Sequence, residues 1–194
     1  MPHRNRLKET MDDYFSYLSR ENPIGAEEEI PVYHRFLDFV RREPRCFERS
    51  TREGHVTGSA LVVTHDLTRV LLTHHRKLNL WLQLGGHADG DSDIAQVALK
   101  EANEESGLTD LIFFPPGRHF PRIWDLDIHW IPPHKTDPGH YHFDVRYLMT
   151  TKSPDAIVTT EESHELRWFL IEHAYAITTE KSMHRMFDKI KFFQ

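Results

Sequence analysis

Glu101, Glu104 and Glu105 stand three and four residues apart, a spacing that puts three carboxylates on one face of a helix. The pair Gly85-Gly86 lies upstream and Gly107 closes the stretch, which reads GGHADGDSDIAQVALKEANEESGL. A glycine turn feeding a helix with clustered carboxylates is a site for a hard cation such as Mg²⁺ or Mn²⁺. Helix phase separates this pattern from an ordinary charged run. At about 100° per residue, Ile94, Val97 and Ala98 form an apolar stripe that Glu101 and Glu105 continue. Asp93, Gln96, Lys100 and Asn103 fall on the opposite face, with Glu104 at the boundary. Carboxylates crowded on an inward face repel one another unless a cation sits between them.

At these residues the chain resembles the Nudix hydrolase family, whose signature is G-x5-E-x7-R-E-U-x-E-E-x-G-U, with U a bulky aliphatic residue. Gly86, Glu101, Glu104, Glu105, Gly107 and Leu108 match it in spacing. Ser92 stands where the family has its first glutamate, Lys100 where it has arginine, and Ala102 where it has a larger aliphatic. The resemblance implies an α/β/α sandwich with a mixed β-sheet and the motif helix against it. It implies a pyrophosphohydrolase, with Glu101, Glu104 and Glu105 holding Mg²⁺ or Mn²⁺ and a main-chain carbonyl at Gly85 or Gly86 completing the shell. The general base would be a box glutamate, Glu105 or Glu104, or a loop glutamate, Glu165 or Glu162. The substrate class would be a nucleoside diphosphate linked to another moiety, such as a nucleotide sugar. A Nudix-fold sensor that binds a nucleotide without turnover is the alternative, favoured by Ser92 and Lys100 and opposed by the intact glutamate set. The isomerase branch of the fold needs an active-site cysteine, and Cys46 lies well outside the expected core.

Two further segments carry polar side chains in alternation. In DLDIHW (125–130) and HYHFDVR (140–146), the polar residues share one strand face and the apolar residues the other. Paired, these strands would gather Asp125, Asp127, His129, His140, His142, Asp144 and Arg146 into one patch. Three readings stand: a solvated sheet face, a substrate wall, or a histidine-rich metal site. The substrate wall is the expectation, because this face would flank the motif helix. His87 follows the glycines directly and could reach the site. Arg76, in the basic cluster HHRK (74–77), is placed to meet phosphates.

The rest of the chain must position these groups. With 194 residues, 39% hydrophobic and 28% charged, it has material for one soluble domain with a sizeable core and an extension. Net charge is −6, which argues against a broad surface for nucleic acid or an anionic membrane. The single cysteine, Cys46, forms no intrachain disulfide and points to a reducing compartment. No signal-like or membrane-length apolar run is present, so a cytoplasmic location is expected.

Residues 4–19 and 31–42 read as amphipathic helices, the second starting at Pro31, a favoured first helical position. They form an N-terminal extension over 1–50, ahead of a catalytic domain over 51–194. Their apolar faces need cover, by the core or by a second copy, and a homodimer is expected. Strands are expected over 59–64, 70–73, 80–84, 111–114, 122–130, 141–150 and 165–171. The motif helix would be capped by Ser92 and ended by Gly107, and 178–193 would form a last amphipathic helix.

Overall fold

The computed structural model describes residues 2–75, 79–117, 121–134, 138–159 and 163–193. Along the chain come α1 (Asn5–Glu21), α2 (Ala26–Arg42), β1 (Gly54–Thr64), β2 (Arg69–His75), β3 (Leu80–Leu82), β4 (Leu84–His87) and α3 (Ile94–Ser106). Then follow β5 (Ile112–Phe113), β6 (Asp125–Ile131), β7 (His140–Thr151), β8 (Ser163–Leu170), α4 (Ile171–Ile177) and α5 (Lys181–Ile190). Arg76, Lys77, Glu161 and Glu162 lie outside the described residues.

The long strands β1 and β7 pair in parallel, from Gly54 opposite Tyr141 to Thr64 opposite Thr151. Every other pairing is antiparallel: β4 and β2 share the other edge of β1, β6 and β5 share that of β7, and β2 also carries β3 and β8. The result is a mixed sheet between two helical layers. Period-two alternation divides its side chains. Val56, Ala60, Val62, Phe143, Val145 and Met149 pack with α1, α2 and α3. Leu61, Val63, Val70, Leu72 and Leu148 pack with α4 and α5.

The N-terminal helices dock on this same chain. Leu7, Met11, Tyr14 and Leu18 of α1 and Tyr33, Phe36, Phe39 and Val40 of α2 are buried in the core that contains Phe143. The Phe39 and Phe143 rings stack with centroids 3.8 Å apart. The need for apolar cover, the reason to expect a second copy, is thus met within the chain.

Among the described residues β6 has a β-partner only on its β7 side, and its other flank is closed by charge. Arg185 of α5 grips Asp125 with Nε to Oδ2 and Nη2 to Oδ1, both at 2.8 Å. Lys189 donates to Asp125 at 2.9 Å and pairs with Glu29 of α2. Tyr14 of α1 donates to Glu29 at 2.5 Å. Across the strand, Arg146 binds Asp144 at 2.8 Å, Asp127 at 2.9 Å and Asp125 at 3.4 Å. Among the described residues Asp125, Asp127, Asp144 and Glu29 thus meet three cations, and the exposed Glu28 also lies 3.4 Å from Arg185. Burial raises Asp125, but Lys189 and Arg185 outweigh it and hold the group low. The surplus charge is relieved at Glu29, which burial, and then Asp125, raise to about 7.

The structure corrects several sequence expectations. α2 starts at Ala26 and keeps Pro31 inside it. Gly25 turns the chain with φ 82°, and Glu27, Glu28 and Glu29 fill the first turn, where carboxylates suit the helix dipole. The cap of α3 is Asp93, whose side chain accepts from the Gln96 N–H at 3.4 Å, in place of Ser92. Asp93 also pairs with Arg6 of α1 at 2.8 Å. The strand expected over 80–84 breaks into β3 and β4, and β4 runs on through both glycines. The helix expected over 178–193 is preceded by α4. Gly107 does end α3, at φ 73° with its N–H on the Asn103 carbonyl.

Two outcomes follow from these contacts. Asp93→Ala should cost about 1 kcal/mol of stability by urea denaturation, and Ser92→Ala less than about 0.5 kcal/mol. Glu29 binds its proton more tightly folded than unfolded, so its contribution is complete below the ordinary value of 4.5 and is lost as pH rises through about 7. The stability difference between the parent chain and Glu29→Gln, followed by thermal melts, should therefore shrink as pH rises across that window.

Candidate functional site

α3 lies across β1 and β4 because two glycines let it approach. A Cβ on Gly58 would meet the Ile94 carbonyl at 2.8 Å. One on Gly86, its partner across the strands, would meet the Glu101 carboxylate at 2.2 Å. Glu101 thus folds down onto Gly86. Glu105, one turn on, accepts the Gly85 N–H at 2.9 Å. Glu104 points outward, 60% exposed, with Lys100 3.8 Å away. Lys100 also lies 3.9 Å from Glu101, a loose solvated contact worth little. The result is an oxygen-only donor set beside a strand segment where a close approach to backbone is kept open by the absence of side chains. Hard divalent cations take such ligands, so these residues fit the Mg²⁺ or Mn²⁺ that the signature implies.

The polar strand face lies on the other side of the sheet from α3, not beside the motif helix as expected. The register shows why. Gly58, Phe143 and Val145 point to the helix layer, so Thr57, His142, Asp144 and Arg146 point away from it. This face divides in two. Asp125, Asp127, Asp144 and Arg146 belong to the ion network. Asp144, only 1% exposed, also accepts from Thr57 at 2.8 Å, Ser59 at 2.7 Å and Gln83 at 3.3 Å. Burial would raise Asp127, but Arg146 and then His129 hold it far below the usual carboxylate range.

The remainder is a cluster of imidazoles. His55 of β1 sits with its ring centroid 5.0 Å from His87, 4.9 Å from His140 and 4.9 Å from His142. His142 is in turn 5.0 Å from His87 and 5.3 Å from both His129 and His140. His129 is oriented by Asp127 at 3.1 Å and His140 by the Pro138 carbonyl at 2.9 Å. Burial, and then the neighbouring imidazoles, push His55 down to about 4 and His142 to about 2, so both are neutral near pH 7. The segment between α2 and β1 runs beside the start of β1. It is tied down by Val56 N–H to the Cys46 carbonyl at 2.7 Å, Gly90 N–H to the Phe47 carbonyl at 3.0 Å, and Arg49 to Asp89 at 2.6 Å.

The structure therefore brings Glu101 and Glu105 onto the glycine pair of β4, and His87, His129, His140 and His142 into one cluster. It does not join Glu165 to either group. Glu165 stands on β8 opposite His74 and pairs with Arg167. Cys46 is buried, and burial pushes its thiol up to about 12, which suits packing and not catalysis. The residue that sequence reasoning missed is His55. Its signal was the polar alternation His55, Thr57, Ser59 at the start of an otherwise apolar strand.

The NUDIX domain family matches residues 54–190, from β1 to the end of α5. Among solved structures, the E. coli dihydroneopterin triphosphate pyrophosphohydrolase superposes with a TM-score of 0.55 at 17% identity, over 72% of this chain and 96% of that one. A MutT protein from Methanosarcina mazei Go1 gives 0.53 at 15% identity, over 73% and 96%. A C. elegans Ap4A hydrolase binary complex gives 0.52 at 17% identity, over 71% and 96%. At such identities the likeness is one of fold. No curated protein matches the chain.

The two glycines of the turn should respond differently to substitution. A Cβ on Gly85 would strike backbone, the Ser59 Cα at 2.7 Å and the Gly58 carbonyl at 2.8 Å. Gly85→Ala should lower stability by about 1–3 kcal/mol. Gly86→Ala meets only the flexible end of Glu101 and should stay within about 0.5 kcal/mol, while displacing that carboxylate. Urea denaturation of the two variants reads the contrast.

Proposed function

The chain belongs to the NUDIX family and is a hydrolase of phosphoanhydride bonds, and we propose that it is a Mg²⁺- or Mn²⁺-dependent enzyme whose substrate is a nucleoside diphosphate linked to a second moiety, as in a nucleotide sugar. The observation that carries this reading is the seating of Glu101 on Gly86 and of Glu105 on the Gly85 N–H. It puts two carboxylates of one helix face against the half-buried glycine pair of β4.

Glu101, Glu104 and Glu105 would hold the cation, with a carbonyl of Gly85 or Gly86. When bound, such an ion supplies positive charge to the diphosphate oxygens and makes water a stronger nucleophile. The water oxygen bonds to one phosphorus, the bond from that phosphorus to the bridging oxygen breaks, and the other phosphate leaves with that oxygen. A carboxylate takes the proton of the attacking water. Glu104, 60% exposed and among the described residues held only by loose contact with Lys100, has the freest access to water, and we assign it this role. Glu105 and Glu165 are the other bases to test. Glu165 is tied to Arg167 on a strand that borders β2 and not β4.

The test is a panel of nucleoside diphosphate derivatives assayed with Mg²⁺ and Mn²⁺, both products being identified by mass. Glu104→Gln and Glu105→Gln should each lower kcat by at least about 10²-fold with an unchanged circular dichroism spectrum. Glu165→Gln should keep most of the activity. Near-normal turnover in both box variants would overturn the assignment. Nucleotide binding without any turnover of the parent chain would favour a sensor.

A further inference from the structure

Five imidazoles from four strands meet on the sheet face away from α3. Nothing in phosphoanhydride hydrolysis by the box carboxylates calls for them. We propose that His55, His87 and His142 are the ligands of a transition-metal ion of the zinc type, at a site separate from the carboxylates of α3.

Geometry is the first support. One ring nitrogen from each of the three lies within 4.8 Å of the others. A tetrahedral ion holding nitrogens at about 2.1 Å spaces them by roughly 3.4 Å, a contraction that small side-chain rotations supply. Unmet bonding capacity is the second. His55 is 2% exposed, and among the described residues neither its Nδ1 nor its Nε2 has a hydrogen-bond partner. The Nε2 of His142 is likewise buried without one. A buried polar atom left unbonded is destabilising, and here such atoms from two strands converge. A single ion would bond one nitrogen of His55 together with that of His142.

Donor chemistry sets the ion. Imidazole favours zinc and its neighbours over Mg²⁺, which takes oxygen. Asp144 is already engaged by Thr57, Ser59 and Arg146, and Asp89, whose charge reaches His55 and His87, is held by Arg49, which leaves nitrogen donors. Three protein ligands leave a fourth position for water or for His140, whose ring lies 4.9 Å from that of His55. The ion would pin β1, β4 and β7 together at His87, the residue that follows Gly85-Gly86. It would thereby fix the strand on which Glu101 and Glu105 are seated.

Elemental analysis of untagged full-length protein from zinc-supplemented culture tests this without any activity assay. About one zinc per chain is expected, and Co²⁺ added to the metal-stripped chain should give the visible d–d bands of a nitrogen-ligated, four- or five-coordinate ion. His142→Ala should abolish both. His87→Ala, at a half-exposed position, keeps the test informative if the buried variant fails to fold, and it should lose zinc as well. Glu101→Gln should retain the zinc, which separates this site from the box and lets either assignment fail alone. Absence of zinc together with no Co²⁺ bands in the folded parent chain would overturn the proposal. So would zinc that survives His87→Ala and disappears in Glu101→Gln.

Discussion

The register between β1 and β7 governs everything chemical in this chain. Because side chains alternate along a strand, pairing Val56 with Phe143 and Gly58 with Val145 sends those residues under the helices. The same pairing sends His55, Thr57, His142 and Asp144 to the opposite face. A slip of one residue would invert every one of these assignments. It would turn Asp144 toward the layer of α3 and Phe143 toward the face that carries the ion network and the imidazoles. The stack of Phe39 on Phe143 and the hydroxyls of Thr57 and Ser59 on Asp144 both depend on this one register. They oppose a slip from the two sides of the sheet.

Charge then does what a further strand would otherwise do. β6 is an edge, and exposed edges invite pairing with other chains. Here Asp125 at its start anchors Arg185 and Lys189 of the last helix, and Glu29 and Tyr14 bring in the first two. Residues as distant in sequence as Tyr14 and Lys189 meet at this point. Buried ion pairs are costly to desolvate and contribute less stability than apolar packing of the same volume. Their contribution here is positional: they fix where three helices end against one strand. The N-terminal helices are thus built into the sandwich, although the matched family region begins only at residue 54.

The strand pair β1–β4 has different chemistry on its two sides. On the helix side, glycines replace side chains so that carboxylates can lie on the backbone. On the other side, the same strands carry His55 and His87. Oxygen donors on one face and nitrogen donors on the other select different metals, and the backbone between them is shared. Any event that shifts β4 is felt by both.

The signature glutamates, the glycine stop at Gly107 and the mixed α/β class were legible in the sequence, because helix spacing and glycine conformation are local properties. So was the fact that polar residues of β6 and β7 share a face, since alternation needs no partner. Which side of the sheet that face occupies was not legible. It depends on the pairing of residues far apart in the chain, and only the tertiary structure set it opposite α3. The same holds for the division of the polar face into an ion network and an imidazole cluster: Arg185 and Lys189 enter from a helix whose docking the sequence did not reveal. The start of α2 was misread because proline is tolerated beyond the first position of a helix when preceding acids and a left-handed Gly25 set the turn. His55 escaped notice for a plain physical reason. A lone histidine at the edge of an apolar strand has no local meaning until three other strands bring theirs beside it.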